Sequence, residues 1–270
     1  MRMILGLDRP TAGVALVHGR PYAEHPAPMR EVGALLDARA VHQGRTVHNH
    51  LRCLADSNGI ARQRVDEVLD LVGLAAVADR RAGKLSLGMS QRVGIATALL
   101  GDPGVLLFDE PVNGLDPDGI RWIRQLVQRL AREGRTVLLS SHLMSEMALT
   151  AGHLVVIGRG RLIADTGVEE FVRASAERRV LVRTPQPARL AELLADCGAA
   201  VHPGAEGALV VSDMESASIF SLAASKGIVL SELTPQRTSL EEAYMALTEN
   251  SVEYRTGAGV DSGVDSAAAA

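Results

Sequence analysis

Apolar positions recur with a changing rhythm along the chain, and each rhythm predicts an element. Met1, Ile4, Leu5 and Leu7 are spaced as on a helix, Gly6 can sit near a helix end, and Pro10 forbids continuation, so residues 1–7 read as the end of a helix. Residues 14–17 read as a short strand and residues 30–36 as a buried one. Residues 38–84 are expected to be mostly helical; Val65, Val68, Leu69 and Val72 share one face, and Gly73 can close that helix. Residues 86–100 predict an apolar-faced helix stopped by Gly101 and Pro103. Residues 105–108 are apolar and run straight into Asp109 and Glu110. Residues 117–132 place Ile120, Ile123, Leu126, Val127 and Leu130 on one side of a helix, and residues 136–141 make an apolar strand ending at His142. Buried strands alternating with amphipathic helices predict an α/β fold with a mostly parallel sheet.

From about residue 175 the rhythm changes. Strands are expected at 179–183, 208–212 and 227–233, with helices at 187–197, 215–225 and 239–247. The expected organisation is one domain over residues 1–170, with a helical subdomain at about 38–100, and a small α/β domain over 175–250. Residues 251–270 are mainly Gly, Ser, Ala and Asp, have little to bury, and are expected to be a disordered tail.

Composition narrows this picture. Apolar residues make up 47% of the 270 and aromatics only 3%, so a sizeable core is possible and must be aliphatic. The net charge of −4, with no basic stripe, argues against a nucleic-acid surface. Cys53 and Cys197 stand far apart in no paired motif, which fits a reducing compartment. The apolar runs are strand-sized, short of the ~20 residues of a membrane helix. His48, Asn49 and His50 near Cys53 bring no further ligand at metal spacing, and the two histidines would point to different helix faces.

Four segments carry candidate chemistry. An apolar strand that ends in Asp109 and Glu110 puts two acids where ligands of open α/β sheets bind. The first suits Mg2+, which favours oxygen ligands and keeps its waters; the second suits orienting and deprotonating an attacking water. Alone, such a pair is more often two solvated acids. Ser86 can cap the helix it opens, whose free N–H groups and macrodipole favour an anion, and Gly88 allows close approach. An ordinary serine cap reads the same. His142 ends a buried strand and can donate to a phosphate or hold a water, although a satisfied strand-end histidine is commoner. Asn113, Gly114, Leu115 and Asp116 form a turn into a helix, with Asp116 as its cap.

The order and spacing of all four resemble the ATP-binding subunits of ABC transporters. LSLGMSQ, residues 85–91, resembles the signature LSGGQ; residues 105–110 resemble the Walker B strand, Gly114-Leu115-Asp116 the D-loop, and His142 the switch histidine. DEPVNGLDP, SSHLMSEM and the C-terminal SLEEAYMALT resemble stretches of the antibiotic- and drug-efflux branch. The resemblance implies a parallel sheet of the ABC ATPase type, a helical subdomain and a small C-terminal α/β domain. It implies ATP and Mg2+ as cofactors, with Asp109 on the metal, Glu110 as base and His142 on the γ-phosphate. Ser86, Gly88, Met89 and Gln91 are expected at ATP across a subunit interface, with Asp116 beside it. Asp37 falls at the Q-loop position, where the family carries glutamine. Implied partners are a membrane-spanning permease subunit, docked on about residues 38–84, and a second ATPase subunit, like or unlike. The implied place is peripheral, on the cytoplasmic face of the cell membrane.

The family's phosphate-binding loop, G-x-x-x-x-G-K-[ST], occurs nowhere in the sequence. Residues 1–13 resemble the continuation of the helix after that loop, so the chain is expected to start inside it, as a truncated gene model would. The alternative is a non-hydrolysing subunit that supplies only its signature helix to an intact partner. A soluble repair or translation ATPase of the same superfamily fits less well, because the chain has one cassette and no long heptad run.

Overall fold

The computed structural model describes residues 1–174, 179–236 and 239–248. Its contacts divide into two units, Met1–Thr150 and a second that begins at Ala151. The division precedes residues 153–167, which the sequence placed with the first domain.

The first unit contains α1 (Pro28–Glu31), β1 (Val32–Leu35), α2 (Val47–Ser57), α3 (Gln63–Leu71), α4 (Leu87–Leu99), β2 (Val105–Asp109), α5 (Pro117–Arg132), β3 (Thr136–Ser140) and α6 (Met144–Thr150). The three strands pair in parallel in chain order, with β2 in the middle. Leu106, Leu107 and Phe108 are each no more than 2% exposed, which is why β2 is apolar without alternation. Strand β1 lies so close to α4 that a Cβ on Gly33 would collide with the Ala98 carbonyl. Strand β3 ends the sheet, and Thr136 and Leu138 are exposed on it.

Residues 1–7 form a turn and not a regular helix. Leu7 N–H donates to Arg2 O (3.0 Å) and Gly6 N–H to Met3 O (3.1 Å), with Gly6 at φ 68; these are the paired bonds that close helices. Residues 14–17 are not a strand: Val17 alone bridges to Arg20, and Val14 and Leu16 are exposed with no partner strand beside them. In residues 38–84, only α2 and α3 are α-helical. Thr46 caps α2 by accepting from Asn49 N–H (3.1 Å), and Gly73 at φ 70 closes the turn after α3. The predicted α3 face is buried, with Val65, Val68, Leu69 and Val72 at 0–2% exposure.

The second unit begins with an antiparallel hairpin, β4 (His153–Gly158) and β5 (Arg161–Gly167), followed by α7 (Val168–Ala174). Next come β6 (Arg179–Arg183), α8 (Pro187–Asp196), β7 (Ala200–Pro203), β8 (Leu209–Ser212), α9 (Ser216–Ser225), β9 (Glu232–Gln236) and α10 (Leu240–Thr248). The sheet order β7-β8-β6-β9, antiparallel throughout, makes β6 to β9 a βαββαβ unit of ferredoxin-like arrangement. Val180, Val182 and Val211 pack with Leu190, Leu194 and Ile219 in its core.

The expected strand at 227–233 is displaced to β9. Gly227 (φ 66) and Ile228 close α9 instead, through Gly227 N–H to Ala224 O (3.1 Å) and Ile228 N–H to Ala223 O (2.9 Å). Strand β7 and the hairpin were not anticipated. Ser239 and Glu242 cap α10 reciprocally, with Ser239 N–H donating to Oε2 (2.7 Å) and Glu242 N–H to the serine Oγ (3.1 Å). The expected tail, 251–270, lies outside the described residues.

Candidate functional site

Parallel pairing brings the carboxyl ends of β2 and β3 to one edge of the sheet, with Asp109 opposite Ser140. Ser140 Oγ donates to Asp109 Oδ1 (2.5 Å) and accepts from Glu110 N–H (3.0 Å). Glu110 has φ 48, a left-handed conformation that costs a non-glycine residue roughly 1–3 kcal/mol and concentrates at functional sites. Its Oε2 lies 2.8 Å from His142 Nδ1. The pair faces solvent, with side chains 33% and 62% exposed.

Helix α4 approaches this edge from another side. Ser86 caps it by accepting from Met89 N–H (3.3 Å), so the first free N–H expected for a ligand is used internally. Ser86 and Leu87 remain exposed. Gly88 is close to another residue, though not to an open cleft: a Cβ there would lie 3.1 Å from Leu115 Cδ2. On Gly114, at φ 73, a Cβ would collide with Leu87. The signature-like helix and the turn at 113–116 therefore pack directly together.

Gln91 departs from its expected role. It is 4% exposed, and its Nε2 donates to Glu110 O (3.2 Å) and Pro111 O (2.9 Å). Its amide thus ties α4 to the acid-bearing loop. Asp116 caps α5, with Oδ1 accepting from Gly119 N–H (2.8 Å). Asp37 lies just past β1 on the same sheet edge, and its Oδ1 accepts from Arg39 N–H (2.8 Å) within its own loop. Arg92, next to Gln91, places its guanidinium 4.0 Å from the Trp122 ring centroid, joining α4 to α5.

The structure thus gathers Asp109, Glu110, His142, the first turn of α4 and the 113–116 turn into one contiguous region. The sequence reading missed Ser140, whose only signal was its place at the end of a predicted strand; pairing register revealed its role. Among the described residues no group of three or more His, Cys, Asp or Glu is arranged to hold a metal. His50 is 7% exposed with Nδ1 unpartnered, and burial first, then the charges of Arg45 and His42, push its pKa down. No helix among the described residues is long and apolar enough to cross a membrane.

One Asp109 oxygen is taken by Ser140, while Oδ2 has no hydrogen-bond partner among the described residues. Glu110 and His142 contact each other at a solvent-facing edge. These features define an open α/β protein with an acid-bearing strand end.

Comparisons narrow the class. A family model described as ABC transporter matches residues 1–113, and one described as a domain of unknown function (DUF8746) matches 178–241. The chain is 38% identical over 168 residues to the bacitracin transport ATP-binding protein BcrA of Bacillus licheniformis, covering 61% of this chain and 55% of that protein. It is 30% identical over 165 residues to the lantibiotic transport ATP-binding protein SrtF of Streptococcus pyogenes, covering 61% and 71%. An uncharacterized ABC transporter ATP-binding protein of Bacillus subtilis, YdbJ, is 29% identical over 254 residues, covering 92% and 81%. A solved structure of an ATP binding subunit of an ABC transporter shares the fold at TM-score 0.58 and 24% identity, covering 64% of this chain and 74% of that one. The chain belongs to the ABC transporter ATP-binding proteins. It spans between half and two thirds of the length of the first relatives it matches.

Proposed function

We propose that the chain is an ATP-binding subunit that powers an exporter of peptide antibiotics or similar drugs, through ATP-dependent closure of two subunits. The contact that carries this reading is Glu110 Oε2 to His142 Nδ1 at 2.8 Å, beside an Asp109 held by Ser140. The names of the bacitracin and lantibiotic relatives supply the cargo class. Asp109, through its unpartnered oxygen and bridging waters, fits Mg2+, which supplies charge neutralisation to a transferring phosphoryl group. Glu110 takes the proton of the attacking water, and His142 holds that carboxylate in place and can donate toward the phosphate. Ser86, with the exposed first turn of α4, meets the facing subunit's nucleotide, and Asp116 stands near that interface. A membrane-spanning permease on the helical part of the first unit, and a place on the cytoplasmic membrane face, belong to the same proposal.

A second reading has a separate basis in the exposed start of α4, where Ser86 and Leu87 face solvent. In it, this subunit lends α4 to a partner and hydrolyses nothing. One titration separates the two. Trp122, the single tryptophan, reports Mg-ATP binding by fluorescence, while light scattering reports association. The powering subunit is expected to bind saturably and dimerise, with Glu110→Gln prolonging the dimer. No binding alone, with faster hydrolysis by an intact partner that Ser86→Arg abolishes, would establish the second reading; neither result would defeat both.

A further inference from the structure

We propose that Ser140 and Gln91 are positioning residues for Glu110: they hold its left-handed peptide from both sides and so set its carboxylate against His142. The proposal rests on the reading of Glu110 as the base and deepens it. At φ 48 the Glu110 backbone is outside the region ordinary residues favour, so neighbouring groups must hold it there. On its amino side the N–H donates to Ser140 Oγ (3.0 Å); on its carbonyl side the oxygen accepts from Gln91 Nε2 (3.2 Å). The same nitrogen reaches Pro111 O (2.9 Å), so the amide's two hydrogens serve two successive carbonyls.

Neither side chain can let go freely. Gln91 is 4% exposed, and a released amide would be buried without a partner. Ser140 both accepts from Glu110 and donates to Asp109 Oδ1 (2.5 Å), so turning the hydroxyl away strands groups on both acids. With the peptide held, the carboxylate has its side-chain torsions left to adjust, and it meets His142 Nδ1 at 2.8 Å.

Gln91 also gives the clamp a reach. It sits on α4 about one and a half turns after Ser86, the cap of that helix. A shift of α4 along its axis therefore pulls on the Glu110 peptide. Under the proposed function, the nucleotide that α4 meets on a facing subunit and the pose of Glu110 in this one are mechanically joined.

The test uses the full chain labelled with 15N in its histidine rings, without nucleotide and at one pH. His142→Gln assigns the His142 signal by its loss, and Glu110→Gln marks where that signal falls without a carboxylate partner. Gln91→Met keeps volume but removes the donor, and Ser140→Ala removes the hydroxyl. Each is expected to move the His142 Nδ1 signal at least half of the way to the Glu110→Gln position, while Ser140→Thr leaves it with the wild type. Circular dichroism and the other histidine signals verify the fold; should Gln91→Met not fold, Gln91→Asn, too short to span both carbonyls, takes its place.

A merely structural role would lower the melting temperature and leave the ring signal in position. An unmoved His142 signal in the folded variants overturns the proposal, as does one that Glu110→Gln fails to move. Adding Mg-ATP to the same samples examines the nucleotide reading separately: no response there counts against that reading and leaves the His142 comparison intact.

Discussion

β2 and β6 are both interior strands of five residues, yet they bury their side chains differently. In β2, Leu106, Leu107 and Phe108 are buried in succession, because protein covers both faces of the parallel sheet. In β6, Val180 and Val182 are buried while Arg179 is exposed, because its helices supply core to one face. The contrast extends to chemistry. Parallel strands end together, so Asp109 and Ser140 meet at one edge and His142 follows two residues later. Antiparallel strands end alternately, and the second unit carries an Arg183 ion-paired between Glu232 (2.9 Å) and Glu206 (3.0 Å).

Substitutions can break or sharpen this contrast. The largest effect is expected at the edge acids: under the proposed function, Glu110→Gln lowers turnover by about 10²–10⁴-fold. Glu232→Gln in the second unit leaves turnover in place, and steady-state phosphate release compares the two. Core truncations come next. Phe108→Ala in the doubly covered strand is expected to destabilise by about 3–5 kcal/mol and Leu190→Ala in the second core by about 2–5 kcal/mol, read from denaturant midpoints. A loss of less than about 2 kcal/mol at either position would contradict the burial of that side chain.

Helix caps give a smaller, matched pair. Asp116→Ala in the first unit and Ser239→Ala in the second are each expected to cost about 1 kcal/mol in the same unfolding experiment. The smallest effect is a difference in acid response. His50 is held below the ordinary histidine value of 6.5 by burial, then Arg45 and His42, so its contribution is present above 6.5 and is lost as pH falls through the lowered folded value. Glu242 is held below its ordinary 4.5 by the Ser239 backbone and hydroxyl, so its contribution is present above 4.5 and is lost below, as pH falls through its own lowered value. Softening of the first unit should therefore begin at higher pH. Hydrogen exchange followed from neutral pH down to 4.5 reads each unit, and His50→Gln is expected to remove the early loss.

Legibility followed the same division. The periodic runs of α3, α4 and α5, the apolar β2, and the caps Ser86 and Asp116 were readable because local rules decide them. Residues 14–17 and 227–233 misled because apolar residues alone do not make a strand: the first has no partner, and the second begins with the glycine that closes α9. Strand β7 is four residues ending in proline, too short for a pattern. At the site, Asp109, Glu110 and His142 were legible as chemistry at strand ends, whereas Gln91 was expected at the nucleotide only through the resemblance of its segment, which does not say what lies behind a helix: its amide is buried on the Glu110 and Pro111 carbonyls.

The sequence by itself determined the helices α3, α4 and α5 and the apolar β2, where the acids and the histidine fall, and which family's motifs they resemble, since these follow from neighbours a few residues apart. Tertiary structure decided that Ser140 stands opposite Asp109, that Gln91 turns inward to Glu110, and that the second sheet is antiparallel. Those depend on pairing register and on packing between residues 19 to 31 positions apart, which local periodicity does not encode.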